Sequence, residues 1–132
     1  MLKGSCMCGE VAYEAEGPLI AMARCHCVQC RKASGAEFAT NGTVLVESFR
    51  VTKGGDLLSR YESSPGTRRV FCGRCGSPLF KEDDKRPGQV RLRLGCVDEG
   101  IDQKPMFHVF VSEKPAWSDI FDDTPQFERA PG

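Results

Sequence analysis

Phe71-Cys72-Gly73-Arg74-Cys75-Gly76-Ser77 places two thiols three positions apart, with a glycine between them and another after the second. A C-x-x-C turn brings both sulfurs to one point, and the glycines stand where the backbone must bend sharply. Cys6-Met7-Cys8 offers a second pair. In an extended strand residues i and i+2 point to one face, so these two sulfurs also converge. Cys6, Cys8, Cys72 and Cys75 together make a complete four-thiolate set of the kind that holds structural zinc, with Zn–S distances of about 2.3 Å. Such a site would tie the N-terminal strand to a hairpin in mid-chain and contribute directly to folding, with apparent values of roughly 10–16 kcal/mol in small zinc peptides. The competing reading is a pair of disulfides, or unrelated buried cysteines.

The chain has eight cysteines, and the other four are Cys25, Cys27, Cys30 and Cys96. Cys25-His26-Cys27-Val28-Gln29-Cys30 supplies three convergent sulfurs. Three protein ligands with an open fourth position is the usual form of a catalytic zinc site. Alternatively Cys96 is the fourth ligand and closes a second structural site. Alternation turns His26 away from the face that Cys25 and Cys27 share, so His26 is expected at the surface or in hydrogen bonding around the site rather than on the metal. His108 alternates with Phe107, Val109 and Val111 and reads as a half-exposed structural histidine.

Length and composition fit these assignments. The 132 residues are the usual size of one domain, taken as 1–132, and bury roughly two thirds of the unfolded chain's surface. Core material is thin: aromatics are 8%, and 14 Gly and 8 Pro imply many turns, so a metal cross-link would help folding. The 18 basic and 18 acidic residues cancel, which argues against nucleic acid or a membrane surface as partner. The N-terminus lacks the apolar core of a secretory signal, and no apolar run approaches the roughly 20 residues of a spanning helix. The expected compartment is the cytosol, where thiols stay reduced.

The periodicity is mostly that of strands. Val11–Glu16, Leu19–Ala23, Phe38–Val46, Leu57–Tyr61, Arg68–Phe71 and Phe107–Val111 are strand candidates. Val90, Leu92 and Leu94 alternate with Arg91 and Arg93 as in a half-buried strand. One helical turn is expected near Cys30–Ser34, and no long amphipathic helix.

Gly4-Ser5-Cys6-Met7-Cys8-Gly9, Cys25-His26-Cys27-Val28-Gln29-Cys30-Arg31-Lys32-Ala33-Ser34-Gly35 and Phe71-Cys72-Gly73-Arg74-Cys75-Gly76-Ser77 resemble the glutathione-dependent formaldehyde-activating enzyme family, which includes centromere protein V. His108-Val109-Phe110-Val111, Pro115-Ala116-Trp117 and Pro125-Gln126-Phe127 look like its C-terminal pattern. The resemblance implies a mostly β, Mss4-like (β-tent) zinc fold. It assigns Cys6, Cys8, Cys72 and Cys75 to a structural zinc, and Cys25, Cys27 and Cys30 to a catalytic one. It further implies a carbon–sulfur lyase joining formaldehyde to glutathione as S-hydroxymethylglutathione. Glutathione carries two carboxylates, so Arg31 and Lys32 are the expected contacts, with Arg68 and Arg69 next. The Cys96-Val97-Asp98-Glu99-Gly100 run resembles the centromere protein V branch.

Two other functions are weighed. One is a non-catalytic binding module with two structural zinc sites, which would require Cys96 to close the second. The other starts from the fold shared with B-type methionine sulfoxide reductases and would make Cys96 a redox nucleophile. Oligomeric state is left open.

Overall fold

The structure, a computed structural model, describes residues 1–130, so the last two positions of the expected 1–132 unit lie outside the described residues. The chain is mostly β. A four-stranded sheet consists of β1 (Leu2–Ser5), β2 (Ala12–Ala15), β5 (Phe49–Lys53) and β10 (Val97–Glu99), in the order β10-β1-β2-β5. A second sheet contains β3 (Ala21–Cys25), β4 (Ala39–Leu45), β6 (Leu58–Ser64), β7 (Thr67–Cys72), β8 (Pro78–Asp83), β9 (Gln89–Arg93) and β11 (Phe107–Val109). Its order is β11-β3-β4-β9-β8-β7-β6, and only the β11–β3 pair is parallel. The one α-helix among the described residues is α1 (Val28–Ser34).

The core draws on both sheets. Leu2, Tyr13 and Ala15 from the small sheet pack in one cluster with Val70, Phe80 and Leu92 from the large one. Aromatic edges join them: Tyr13 and Phe49 have ring centroids 5.6 Å apart, and Phe49 and Phe80 4.9 Å. Gly4 is required here, because a Cβ at this position would meet the Tyr13 ring. The first thiol set adjoins this cluster, since Cys6 and Cys72 belong to it.

Strand alternation located most of the large sheet but not every end. The strand expected over Leu19–Ala23 runs over Ala21–Cys25, delivering Cys25 to its last position. The strand expected to reach Val111 stops at Val109, because Phe110 takes a left-handed backbone (φ 55°) and a 3-10 turn follows. The helical turn begins two residues earlier than expected, at Val28. β5 and β10 were not anticipated, and β1 and β8 were expected only as an N-terminal strand and the second arm of a mid-chain hairpin, without bounds. Short or charged strands such as Pro78-Leu79-Phe80-Lys81-Glu82-Asp83 carry little period-2 signal, and pairing to neighbours defines them. Arg93 also departs from expectation. It is only 5% exposed, because its guanidinium is turned into the protein toward α1.

Candidate metal centres

The first centre is made of two turns. Cys6 follows Ser5, the last residue of β1, and Cys8 stands in the turn after it rather than in an extended strand; Cys72 is the last residue of β7. The sulfurs of Cys6, Cys8, Cys72 and Cys75 all lie within 4.8 Å of one another. Cys6 and Cys8 Sγ are 3.5 Å apart, and Cys8 and Cys72 Sγ 3.9 Å. Four sulfurs placed tetrahedrally about 2.3 Å from one ion are about 3.8 Å from each other, so this donor set fits zinc.

Backbone amides converge on the same sulfurs. The Val11 N–H donates to Cys6 Sγ at 3.2 Å, and the Arg74 and Cys75 N–H groups donate to Cys72 Sγ at 3.4 Å. Such donors are the hydrogen-bond partners that orient sulfur ligands around a metal. Gly76, at φ 81°, completes the Cys72–Cys75 turn, and its N–H reaches the Cys72 carbonyl at 2.8 Å. The Ser77 hydroxyl lies 3.2 Å from Cys75 Sγ and accepts from the Met7 amide at 2.9 Å, which links the two turns. The same hydroxyl and the Ser77 amide draw the Cys75 thiol down to about 5.

The second centre lies where β3 enters α1. Cys25, Cys27 and Cys30 Sγ all lie within 4.8 Å of one another. Cys27 caps the helix, its sulfur accepting from the Cys30 amide at 3.3 Å. Cys30 is only 1% exposed. Arg93 Nη1 lies 3.8 Å from its sulfur, and Arg69 Nη2 3.9 Å. The neighbouring sulfurs of Cys25 and Cys27, with the charges of Arg93 and Lys81, favour the Cys30 thiolate strongly. Arg93 is itself fixed by the Ser34 hydroxyl at 2.8 Å. Beside these guanidinium groups is a cavity of about 470 Å³, lined in part by Ala33, Tyr61, Arg69, Phe80, Lys81 and Arg93.

Cys96 is not brought to the second cluster. A 3-10 turn over Leu94–Cys96 carries the chain from β9 into β10, and β10 pairs with β1, the strand that leads to Cys6. Cys96 therefore stands on the side of the first centre. Burial and the charges of Cys6 and Cys75 push its thiol up. Cys96, the alternative fourth ligand of the second centre, is thus carried away from it by strand pairing, and the convergent sulfurs there are the expected three, Cys25, Cys27 and Cys30.

His26 takes the hydrogen-bonding alternative of its expectation rather than the surface one, and His108 is buried rather than half-exposed: each is only 2% exposed. His26 Nε2 lies 2.8 Å from His108 Nδ1, and His108 Nε2 lies 3.0 Å from Asp122 Oδ2. Asp122 also accepts from the Thr124 amide and hydroxyl and pairs with Arg24 at 3.2 Å. The C-terminal segment covers this chain, with the His108 amide donating to the Pro125 carbonyl and the Phe127 amide to the His108 carbonyl.

Of the expected anion contacts, Arg31 turns to the carbonyls of His26 and Glu113, Lys32 is exposed, and Arg68 pairs with Glu82 and Asp84. Arg69 lines the cavity. Lys81 and Arg93 were not singled out. Arg93 looked like the outward half of an alternating strand, and nothing local signals its partner across the sheet.

Comparison with known proteins bears on this geometry. Residues 1–113 match the family described as "Glutathione-dependent formaldehyde-activating enzyme". The chain belongs to this family. The Mss4-like zinc-binding fold of the family agrees with the two sheets and two cysteine clusters. A Halomonas elongata protein provisionally named a glutathione-dependent formaldehyde-activating enzyme is 33% identical over 129 residues, spanning 91% of this chain and 81% of the relative. A Podospora anserina protein with the same provisional name is 32% identical over 91 residues, covering 67% of this chain but only 43% of that longer relative. A crystal structure of a Rhodobacter sphaeroides protein superposes with a TM-score of 0.63 at 27% identity, over 76% of this chain and 90% of the other. No helix among the described residues is long and apolar enough to cross a membrane.

Proposed function

We propose that this family member is a zinc-dependent carbon–sulfur lyase whose second centre promotes addition of a thiol to an aldehyde. Glutathione or a related thiol and formaldehyde are the substrates, giving S-hydroxymethylglutathione or its analogue. Cys6, Cys8, Cys72 and Cys75 hold a structural zinc, and Cys25, Cys27 and Cys30 hold the catalytic one. The observation that carries this reading is the difference in sulfur count: four convergent sulfurs at one centre and three at the other, the three beside a cavity. With Cys96 held on the side of the first centre, the fourth position of the second remains for substrate.

Zinc bound there supplies a Lewis-acid position at which thiolate is favoured over thiol. The chain's own groups do the rest. Three thiolates weaken that acidity, and the guanidinium groups of Arg69 and Arg93 beside Cys30 offset part of their charge. The cavity walls bring the thiol and the aldehyde together. In the net reaction a carbon–sulfur bond forms, the aldehyde C=O π bond becomes C–O–H, and the thiol proton ends on the new hydroxyl. Cytosolic placement fits a chain whose eight cysteines are all free thiols.

Addition of formaldehyde to thiols also proceeds without a catalyst, so the test is quantitative. Zinc-replete protein is mixed with formaldehyde and a panel of thiols, and adduct formation is corrected for the spontaneous rate. Acceleration with at least one thiol, lost in Cys30→Ala, is expected. No acceleration with any of them would refute the activity.

A further inference from the structure

The strands β7 and β8 and their neighbours carry charge differently on their two faces. In one cross-strand row Glu62 stands opposite Arg68, and Arg68 opposite Glu82. Signs alternate, and Arg60 and Arg68 lie 3.1 and 3.2 Å from Glu82 Oε1. The adjacent row points to the other face of the sheet. There Tyr61 stands opposite Arg69, Arg69 opposite Lys81, and Lys81 opposite Arg91.

Three cations therefore sit side by side. None of them enters an ion pair among the described residues. Like charges directly opposite one another destabilise a sheet. Arg93, two residues beyond Arg91, adds a further buried cation on the same face. Arg69, Lys81 and Arg93 line the cavity of about 470 Å³, the rest of its wall is largely apolar, with Phe71 and Phe80, and no carboxylate lines it. Counting three thiolates, one divalent ion and these three cations, the loaded site holds a surplus of two positive charges. A ligand that offers one thiolate and one carboxylate would neutralise it.

We propose that Arg69, Lys81 and Arg93 form a carboxylate-binding wall that selects the thiol partner. The preferred class is a thiol bearing a carboxylate across a short apolar spacer, as in 3-mercaptopropionate, over a neutral or amine-bearing thiol of the same length. This specificity rests on the proposed function of the second centre, and its binding component can be tested apart from it.

The test uses the zinc-loaded full chain and 3-(methylthio)propionate, a thioether that cannot form a thiolate. Binding is followed by 1H–15N NMR at fixed ionic strength and compared with 3-(methylthio)propylamine and inorganic phosphate. The carboxylate is expected to bind and the amine not to. Arg69→Gln and Lys81→Met are each expected to weaken binding roughly 10-fold or more, the range for losing a charge-assisted hydrogen bond. Arg50→Gln, on the other sheet, should leave it unchanged. Equal zinc content shows that the variants are folded. If they are not, wild-type affinity must still fall as salt rises. Equal binding of carboxylate and amine, phosphate binding as tightly as the carboxylate, unchanged affinity in both folded variants, or salt-independent binding would each overturn the proposal. Carboxylate binding without accelerated thiol addition would remove the activity and leave the wall standing. Acceleration without a charge preference would do the reverse.

Discussion

His26 Nε2 lies 2.8 Å from His108 Nδ1, in a contact shielded from solvent at both rings. One end of this pair determines the other. Asp122, held down to about 2 chiefly by the Thr124 hydroxyl and amide and then by His108, is ionised and only accepts. His108 then donates from Nε2, and in the neutral tautomer that leaves Nδ1 to accept, His26 donates from Nε2. His26 Nδ1 is left as a buried acceptor with no partner among the described residues. Burial first, then the charges of His108, Lys114 and Arg24, pull His26 down to about 4, so it is neutral at working pH. 15N NMR should therefore show the His26 ring neutral and protonated at Nε2 alone. His108→Leu should destabilise the protein by about 1–3 kcal/mol in urea, because it strands the His26 donor.

The Asp122 contribution has a definite pH sign. Its native value, about 2, lies below the ordinary 3.8. The stabilisation is thus fully present above about pH 4 and is lost only as pH falls through about 2. From pH 6 to 9 the gap in urea midpoint between wild type and Asp122→Asn should be constant. A gap that changes there would mean that a second titrating group is coupled to Asp122 in that range.

Gly4 faces the Tyr13 ring too closely for any side chain. Gly4→Val forces the ring or β1 to move and should destabilise by about 1–3 kcal/mol. Gly9→Ala is the contrast. Its Cβ meets nothing within 4 Å, so only its left-handed backbone (φ 79°) opposes the change. Thermal unfolding of the two variants separates steric overlap from backbone strain.

The two centres should release metal in sequence. Four thiolates with convergent amide donors would hold one ion against the core, whereas three would hold the other. A chelator titration should remove one equivalent of zinc without change in circular dichroism, and the second only together with unfolding. Cys72→Ser should lose the second, structure-linked step. Acidification should weaken both, because binding requires deprotonated thiols.

What the sequence disclosed follows from distance along the chain. Cys6 with Cys8, Cys25 with Cys27 and Cys30, and Cys72 with Cys75 are local spacings, and the structure brings each set of sulfurs together. Alternation also turned His26 away from the thiols, and it is not among the convergent donors. Its burial was hidden, because the covering groups come from positions 108 to 127. The destination of Cys96 depends on β10 pairing with β1, a contact across more than ninety residues. The cationic row was hidden for the same reason: Arg69, Lys81 and Arg91 become neighbours only through register.

The central claim is that the second centre presents three sulfurs and a vacant position that Cys96 does not fill. X-ray absorption at the zinc edge of protein loaded with two zinc ions measures this directly. Seven sulfurs shared between the two ions are expected from the four-sulfur and three-sulfur clusters, with the same count in Cys96→Ala. Eight sulfurs, or a count that falls when Cys96 is removed, would contradict the account.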